Sequence, residues 1–333
     1  MGSLNRENIV YLTGGEAREN ASRLKPWKRY KTCVILKVDI KKRTAERIIE
    51  HKTPSEACLI EDDPAIMFKS ASIKNGRIYV CSQTEVLIYS AKDYKMIKYI
   101  SLPLFNDLHH VTPTDRGTIM VAVSGLDLVI EITEEGNILN EWSVTGEDTW
   151  KRFDRKKDYR MVLTTKPHRS HPNFVFSING DHWVTRFHQM DAVCLNAQKE
   201  RIEIGVGFPH DGVKFKDKIY FTTVNGKIAV ISEKTGKVER VFDLNEMTDL
   251  KNTALGWCRG IKIVSDSVVI VGFGRLRQTK YQENIRWVKY LVRGTRIPRG
   301  LPTRIAAYDL KEEKLLWELN LEEYGMHAVF SIL

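Results

Sequence analysis

The sequence predicts an all-β fold, a six-bladed β-propeller of four-stranded antiparallel blades, and three observations carry that prediction. Short runs of roughly 5 to 7 residues, rich in Val, Ile, Thr and aromatic side chains and bounded by Gly, Asn and Asp, fit hairpins rather than βαβ units. The runs group into evenly spaced quartets, and no long helical period competes with them. Five of six spaced segments also open on a histidine or cysteine at the head of an apolar strand: Asp107-Leu-His-His-Val, Ser170-His-Pro-Asn-Phe, Pro209-His-Asp-Gly-Val, Gly256-Trp-Cys-Arg-Gly-Ile and Gly325-Met-His-Ala-Val. Imidazoles recurring at one position of a repeat converge on its axis. In a propeller these strands are therefore the innermost ones, and His109 or His110, His171, His210 and His327 meet where the central channel opens. Seven blades, or a pair of β-sandwiches, are the alternatives.

Taken in order, Asn8-Ile-Val-Tyr-Leu-Thr, Thr32-Cys-Val-Ile-Leu-Lys-Val-Asp and Ala45-Glu-Arg-Ile-Ile-Glu are three outer strands whose innermost partner is the C-terminal His327-Ala-Val-Phe-Ser-Ile. Sharing one blade between the two ends closes the ring and leaves no long sheet edge. The second quartet starts near Ala65. The third is the clearest: His109-His-Val-Thr-Pro, Gly117-Thr-Ile-Met-Val-Ala-Val, Asp127-Leu-Val-Ile-Glu-Ile and Ile138-Leu-Asn-Glu-Trp. The fourth starts near His171, and the fifth runs His210-Asp-Gly-Val-Lys-Phe, Lys218-Ile-Tyr-Phe-Thr-Thr, Gly226-Lys-Ile-Ala-Val-Ile and Lys237-Val-Glu-Arg-Val-Phe. The sixth starts near Trp257. One propeller domain over residues 1–333 is expected, with three long basic insertions on the face of the strand heads, at 14–31, 145–170 and 274–303. The last carries Arg275, Arg277, Lys280, Arg286, Lys289, Arg293, Arg296 and Arg299, and Trp27, Trp150 and Trp287 argue against simple disorder in the three. Solvated decoration or an oligomer contact is the plainer account of them.

A chain of 333 residues that is 42% hydrophobic can bury a large core. No apolar run approaches the ~18 residues of a membrane helix, and the N-terminal residues lack a secretory apolar stretch, so a soluble, cytoplasmic protein is expected. Cys33, Cys58, Cys81, Cys194 and Cys258 form an odd set without a close pair, which fits reduced thiols. The net charge of +10 favours an anionic partner, without separating a small molecule from an acidic macromolecule.

Two chemistries can use histidines in register. Four neutral imidazoles, His110, His171, His210 and His327, can chelate iron, manganese or zinc with open positions left for substrate. Alternatively one imidazole is a nucleophile or acid/base while the others and an arginine hold an oxyanion, a reading that needs no cofactor and that the basic charge favours. Arg186, at the end of a second strand beside the His171 head, is the arginine that can reach the mouth; pairing with Asp191 is its plain alternative. His188 lies in the same turn, and Asp107, Asp127, Asn173, Asp211 and Arg259 are candidates to orient the imidazoles. Cys258 reads as a buried inert thiol.

The stretch from Asp107-Leu-His-His-Val through Gly117-Thr-Ile-Met-Val-Ala and Glu131-Ile-Thr-Glu-Glu-Gly to Trp142, then His171-Pro-Asn-Phe and Thr185-Arg-Phe-His-Gln-Met-Asp-Ala-Val, resembles the bacterial arylsulfate sulfotransferases over about residues 105–215. The resemblance implies a six-bladed propeller that moves sulfate between phenols through a sulfated histidine. By motif, His210 corresponds to the nucleophile, His109 or His110 and His171 to oxyanion or acid/base partners, and Arg186 to the oxyanion clamp; His327 has no assigned counterpart. Phe187 interrupts the family's arginine–histidine turn, and the family's additional N-terminal domain has no place in this chain. There is no Gly-x-x-x-x-Gly-Lys-Ser/Thr loop, His-Glu-x-x-His pair, Gly-x-Ser-x-Gly elbow or EF-hand loop. The expected function is thus arylsulfotransferase-like transfer to a small phenolic or anionic substrate. The rivals are the four-histidine metalloenzyme and a basic propeller scaffold for an acidic partner, with nucleic acid not favoured.

Overall fold

Burial on both faces is what makes the middle strands of each blade continuous apolar runs: Ile119–Val123 and Leu128–Ile132 are buried at every position, whereas the outermost Ile138–Ser143 is exposed or half-exposed throughout. The computed structural model describes residues 8–59, 61, 64–250, 253–276 and 300–333. Its strands form six four-stranded antiparallel sheets in a ring, a six-bladed β-propeller.

The N-terminal strands are β1 (Ile9–Ala17), β2 (Tyr30–Asp39) and β3 (Thr44–His51). The next blade holds β4 (Ala71–Lys74), β5 (Arg77–Cys81), β6 (Val86–Ser90) and β7 (Met96–Ile100), and the third β8 (Leu108–Pro113), β9 (Ile119–Val123), β10 (Leu128–Ile132) and β11 (Ile138–Ser143). The fourth comprises β12 (Pro172–Ile178), β13 (Asp181–Arg186), β14 (Asp191–Cys194) and β15 (Ile202–Glu203). The fifth has β16 (Val213–Phe215), β17 (Lys218–Thr223), β18 (Lys227–Ser232) and β19 (Val238–Asp243), and the sixth β20 (Trp257–Ile263), β21 (Val268–Gly274), β22 (Arg304–Asp309) and β23 (Lys314–Asn320). The last strand, β24 (Ala328–Ile332), pairs with β1, so the N-terminal blade has the order β24-β1-β2-β3 and closes the ring as the sequence predicts. Gly14 makes that closure possible, because a Cβ there would lie 1.7 Å from the Ala328 carbonyl oxygen.

Two boundaries differ from expectation. The second blade's inner strand begins at Ala71 rather than near Ala65, because the preceding backbone bonds to other blades: Phe68 N–H donates to Gly14 O and Ser70 N–H to His109 O. The 14–31 insertion shrinks to 18–29, because β1 and β2 stay paired out to Ala17 and Tyr30. Within 145–170 the chain is packed rather than free. Tyr159 is buried in the same core as β8, β9 and β10, with Trp150, Phe153 and Val162 against it, and Asn106 donates to the carbonyls of Tyr159 and Val162. Of the third insertion, Arg277 to Arg299, including Trp287, lies outside the described residues; Arg275 is ion-paired with Glu322. All five cysteines are free, and no helix among the described residues is long and apolar enough to cross a membrane.

Candidate functional site

The inner strands slip register at their heads, and the slips aim side chains into the channel. Leu108 pairs with Val123 and His110 with Ala122, so His109 is the unpaired residue of a bulge. The same happens at Asn173 in β12, Gly260 in β20 and Phe330 in β24. The Phe330 ring, 2% exposed, is approached from four other blades: Lys69 Nζ lies 4.9 Å and the Arg259 guanidinium 4.6 Å from its centroid, His210 6.0 Å and His109 6.4 Å. It forms the floor of a mouth ringed by cations and imidazoles.

On this floor the His109 ring lies 4.4 Å from that of His171 and 6.3 Å from that of His210. His168 stacks on His171, their Nδ1 atoms 2.7 Å apart, and His188 stands 6.2 Å from His171 on the outer side. Lys69 is ion-paired with Asp107 at 3.1 Å. Asp107, Asp127 and His171 all hold left-handed backbone, with φ of 47°, 51° and 60°, a conformation that persists only where the surroundings impose it. For His171 the imposing group is Asp127. Its buried carboxylate accepts from the backbone N–H groups of Arg169, Ser170 and His171 and from Arg152, fixing the turn that presents the ring.

His210 is held differently. Its Nδ1 is 3.3 Å from Asp211 Oδ1, while Asp211 Oδ2 accepts from Thr222 Oγ1 and from Gly260 N–H, so the carboxylate is anchored across two blades. The Nε2 atom is buried and has no hydrogen-bond partner among the described residues, and neither has Asn173 Oδ1. His109 donates through Nδ1 to the Asp107 carbonyl, which leaves its Nε2 unprotonated.

Burial keeps these rings neutral. It lowers the pKa of His109 and His171 well below the ordinary range, helped for His109 by the Lys69 ammonium and for His171 by His109 and His168. His210 is lowered by burial against the opposing pull of Asp211. Burial alone would raise Asp107, but the Lys69 ammonium outweighs it and holds the carboxyl well below its usual range, so it is ionised.

Not every expected residue joins the group. Between the adjacent histidines it is His109 that faces the channel. His110 points the other way, its Nδ1 accepting from Val175 N–H at 3.1 Å, its Nε2 paired with Ser72 Oγ at 3.2 Å and its ring stacked on Phe174 at 3.7 Å. Arg186, read as the oxyanion clamp, is held by both oxygens of Asp191, at 2.8 and 2.5 Å, and donates to Val144 O. His327 accepts from Ala17 N–H through Nδ1 and makes no ring contact with the other histidines among the described residues. The ligand set His110, His171, His210 and His327 therefore does not assemble. Among the described residues, the group whose donor atoms do converge is Asp107, His168 and His171, all within 4.8 Å. Cys258 is a buried thiol whose pKa burial raises well above normal.

Three participants escaped the sequence reading. Lys69 occupies the strand-head place of the second blade, and the six-residue offset in that strand's start hid it. His168 was visible as the first member of a His-x-x-His pair with His171, though inside an insertion. Phe330 carries no signal, because a bulge alone turns it inward. A cavity of about 270 Å³, lined by Ser72, Lys74, Phe174, Asp211, Lys262 and Ser331 among others, reaches Asp211, the carboxylate beside His210.

No family model matches the sequence, and no curated protein matches it. Among solved structures the chain is similar to a protein of unknown function from Bacteroides caccae, at 14% identity over 98% of both chains with a TM-score of 0.61. It is also similar to a chain of a nidogen–laminin complex, at 10% identity over 97% of both chains with a TM-score of 0.55. A virginiamycin B lyase from Staphylococcus aureus matches more loosely, at 14% identity over 72% of this chain and 73% of that one, with a TM-score of 0.45. At these identities the likeness is one of fold.

Proposed function

We propose that this protein is a transferase that passes a sulfuryl group between small phenols through His210. The observation that carries the reading is the His210–Asp211 pair: a buried imidazole with Nδ1 against an anchored carboxylate and an Nε2 lone pair with no protein partner among the described residues. In the first half-reaction Nε2 attacks the sulfur of an aryl sulfate; the N–S bond forms, the S–O(aryl) bond breaks, and its electron pair leaves with the phenolate. Asp211 balances the positive charge that develops on the ring. The sulfuryl oxygens, already anionic, meet Lys69 and Arg259 from the floor, the duty the sequence had given to Arg186. In the second half-reaction the unprotonated Nε2 of His109 takes the proton of an incoming phenol, whose oxygen then attacks the sulfur and frees His210. Because His210 is 2% exposed, a substrate reaches Nε2 only when side chains at the mouth move.

The test is an alkaline quench of protein incubated with 4-nitrophenyl sulfate, followed by peptide mass mapping. A mass increment of one sulfuryl group on the peptide containing His210, lost in His210→Ala, is the expected result. Unmodified wild-type peptide across a panel of aryl sulfates would sink the reading.

A further inference from the structure

We propose that Asp107, His168 and His171 bind a divalent first-row transition metal at the rim of the channel mouth, a site independent of the transfer reading. Their donor atoms lie within 4.8 Å of one another, and ligands at zinc-like bond lengths in a tetrahedron are about 3.3 Å apart, so side-chain adjustment alone closes the set. Two imidazoles and one carboxylate suit Zn²⁺, Fe²⁺ or Mn²⁺ and leave positions open.

Tautomers give the second observation. The Thr165 hydroxyl has one proton, and Gly125 O at 2.5 Å and Asn106 Oδ1 at 3.3 Å are both acceptors for it. The Asn106 amide is not reversed, since its nitrogen donates to the carbonyls of Tyr159 and Val162. Thr165 Oγ1 is therefore the acceptor of its contact with His168 Nε2 at 3.2 Å, which places the His168 proton on Nε2 and turns the Nδ1 lone pair toward His171. A ligating histidine has this arrangement, one nitrogen on the metal and the other donating to a fixed oxygen. Facing it at 2.7 Å is Nδ1 of His171, so the pair shares either a single proton or a cation. Lys69 engages Oδ1 of Asp107, and Oδ2 makes no hydrogen bond among the described residues. A metal here acts as a Lewis acid for an anionic oxygen entering the same mouth as Lys69 and Arg259.

The experiment is titration of chelator-stripped full-length protein with Co²⁺, followed by its visible absorption, with Zn²⁺ as competitor. One equivalent is expected to bind, at least tenfold more weakly in His168→Ala and in His171→Ala, with His327→Ala and His210→Ala unchanged. Wild-type affinity no better than that of His168→Ala, or equal weakening by His327→Ala, overturns the assignment. His168 lies in a loop and, among the described residues, its side chain bonds only to Thr165 and His171, so its variant stays interpretable should His171→Ala fail to fold. The titration reads no turnover, and the His210 adduct needs no metal, so failure of either proposal is visible apart from the other.

Discussion

His110 and His210 show how two histidines in similar settings come to differ. Both are buried with lowered pKa, but His110 spends both nitrogens on protein partners and supports three blades, whereas His210 Nε2 has no hydrogen-bond partner among the described residues. Burial, with His210 nearby, brings the His110 pKa from 6.5 to about 3. The unfolded chain therefore takes up a proton that the folded one refuses: stability is complete above pH 6.5 and falls as pH drops from there toward 3, by up to about 1.4 kcal/mol per pH unit. His110→Gln, whose amide oxygen can still accept from Val175, is expected to lose less stability than wild type between pH 7 and pH 5 in urea melts. Equal losses would show that His110 is not the buried neutral group. His110→Ala strands the Val175 N–H and opens a cavity, and about 2–4 kcal/mol of destabilisation is expected. The sequence marked both residues by position in the repeat. It did not distinguish their roles, because which of two adjacent strand residues turns inward depends on a one-residue slip in pairing.

Those slips belong to elements. Bulges near the heads of β8, β12, β20 and β24 tilt one residue each out of the ladder, supplying His109, Asn173 and Phe330 to the channel, with Gly260 as the slot that leaves room. Strand existence and blade membership were legible from composition and turn residues, since these are local. Bulges were not, for they arise where a strand meets its neighbour. The Asp127 turn is a second device at this scale. Asp127→Ala leaves the N–H groups of Arg169, Ser170 and His171 without their acceptor, and a loss of about 3 kcal/mol or more is expected. Asp127→Asn, which keeps one oxygen, should cost less. Thermal melts against wild type check both, and a wild-type melting temperature for Asp127→Ala would show that the carboxylate does not hold the turn.

For the whole molecule, six blades and their closure were readable because five quartets repeat one grammar and the two ends supply the three outer strands and the one inner strand of the sixth blade. The packing of 145–170 was not readable, since Tyr159 and Trp150 look like loop aromatics until the flank of the third blade is in place. Removing the last eight residues deletes β24, uncovers the edge of β1 and takes away Phe330. Loss of a single cooperative unfolding transition is expected by circular dichroism; a truncated chain that melts like the intact one would show that the ring does not depend on its closing strand.

Phe330 lies in the strand that closes the ring, so timing during synthesis follows from the topology. At about 5–20 residues per second the ribosome takes roughly 15–60 s to make the chain between β1 and β24. Throughout that interval the first three strands wait with one edge unmatched, and His109, His171 and His210 have no floor to gather on. A nascent chain is thus inert toward whatever the finished mouth binds, and acquires its chemistry in the same event that seals its sheet.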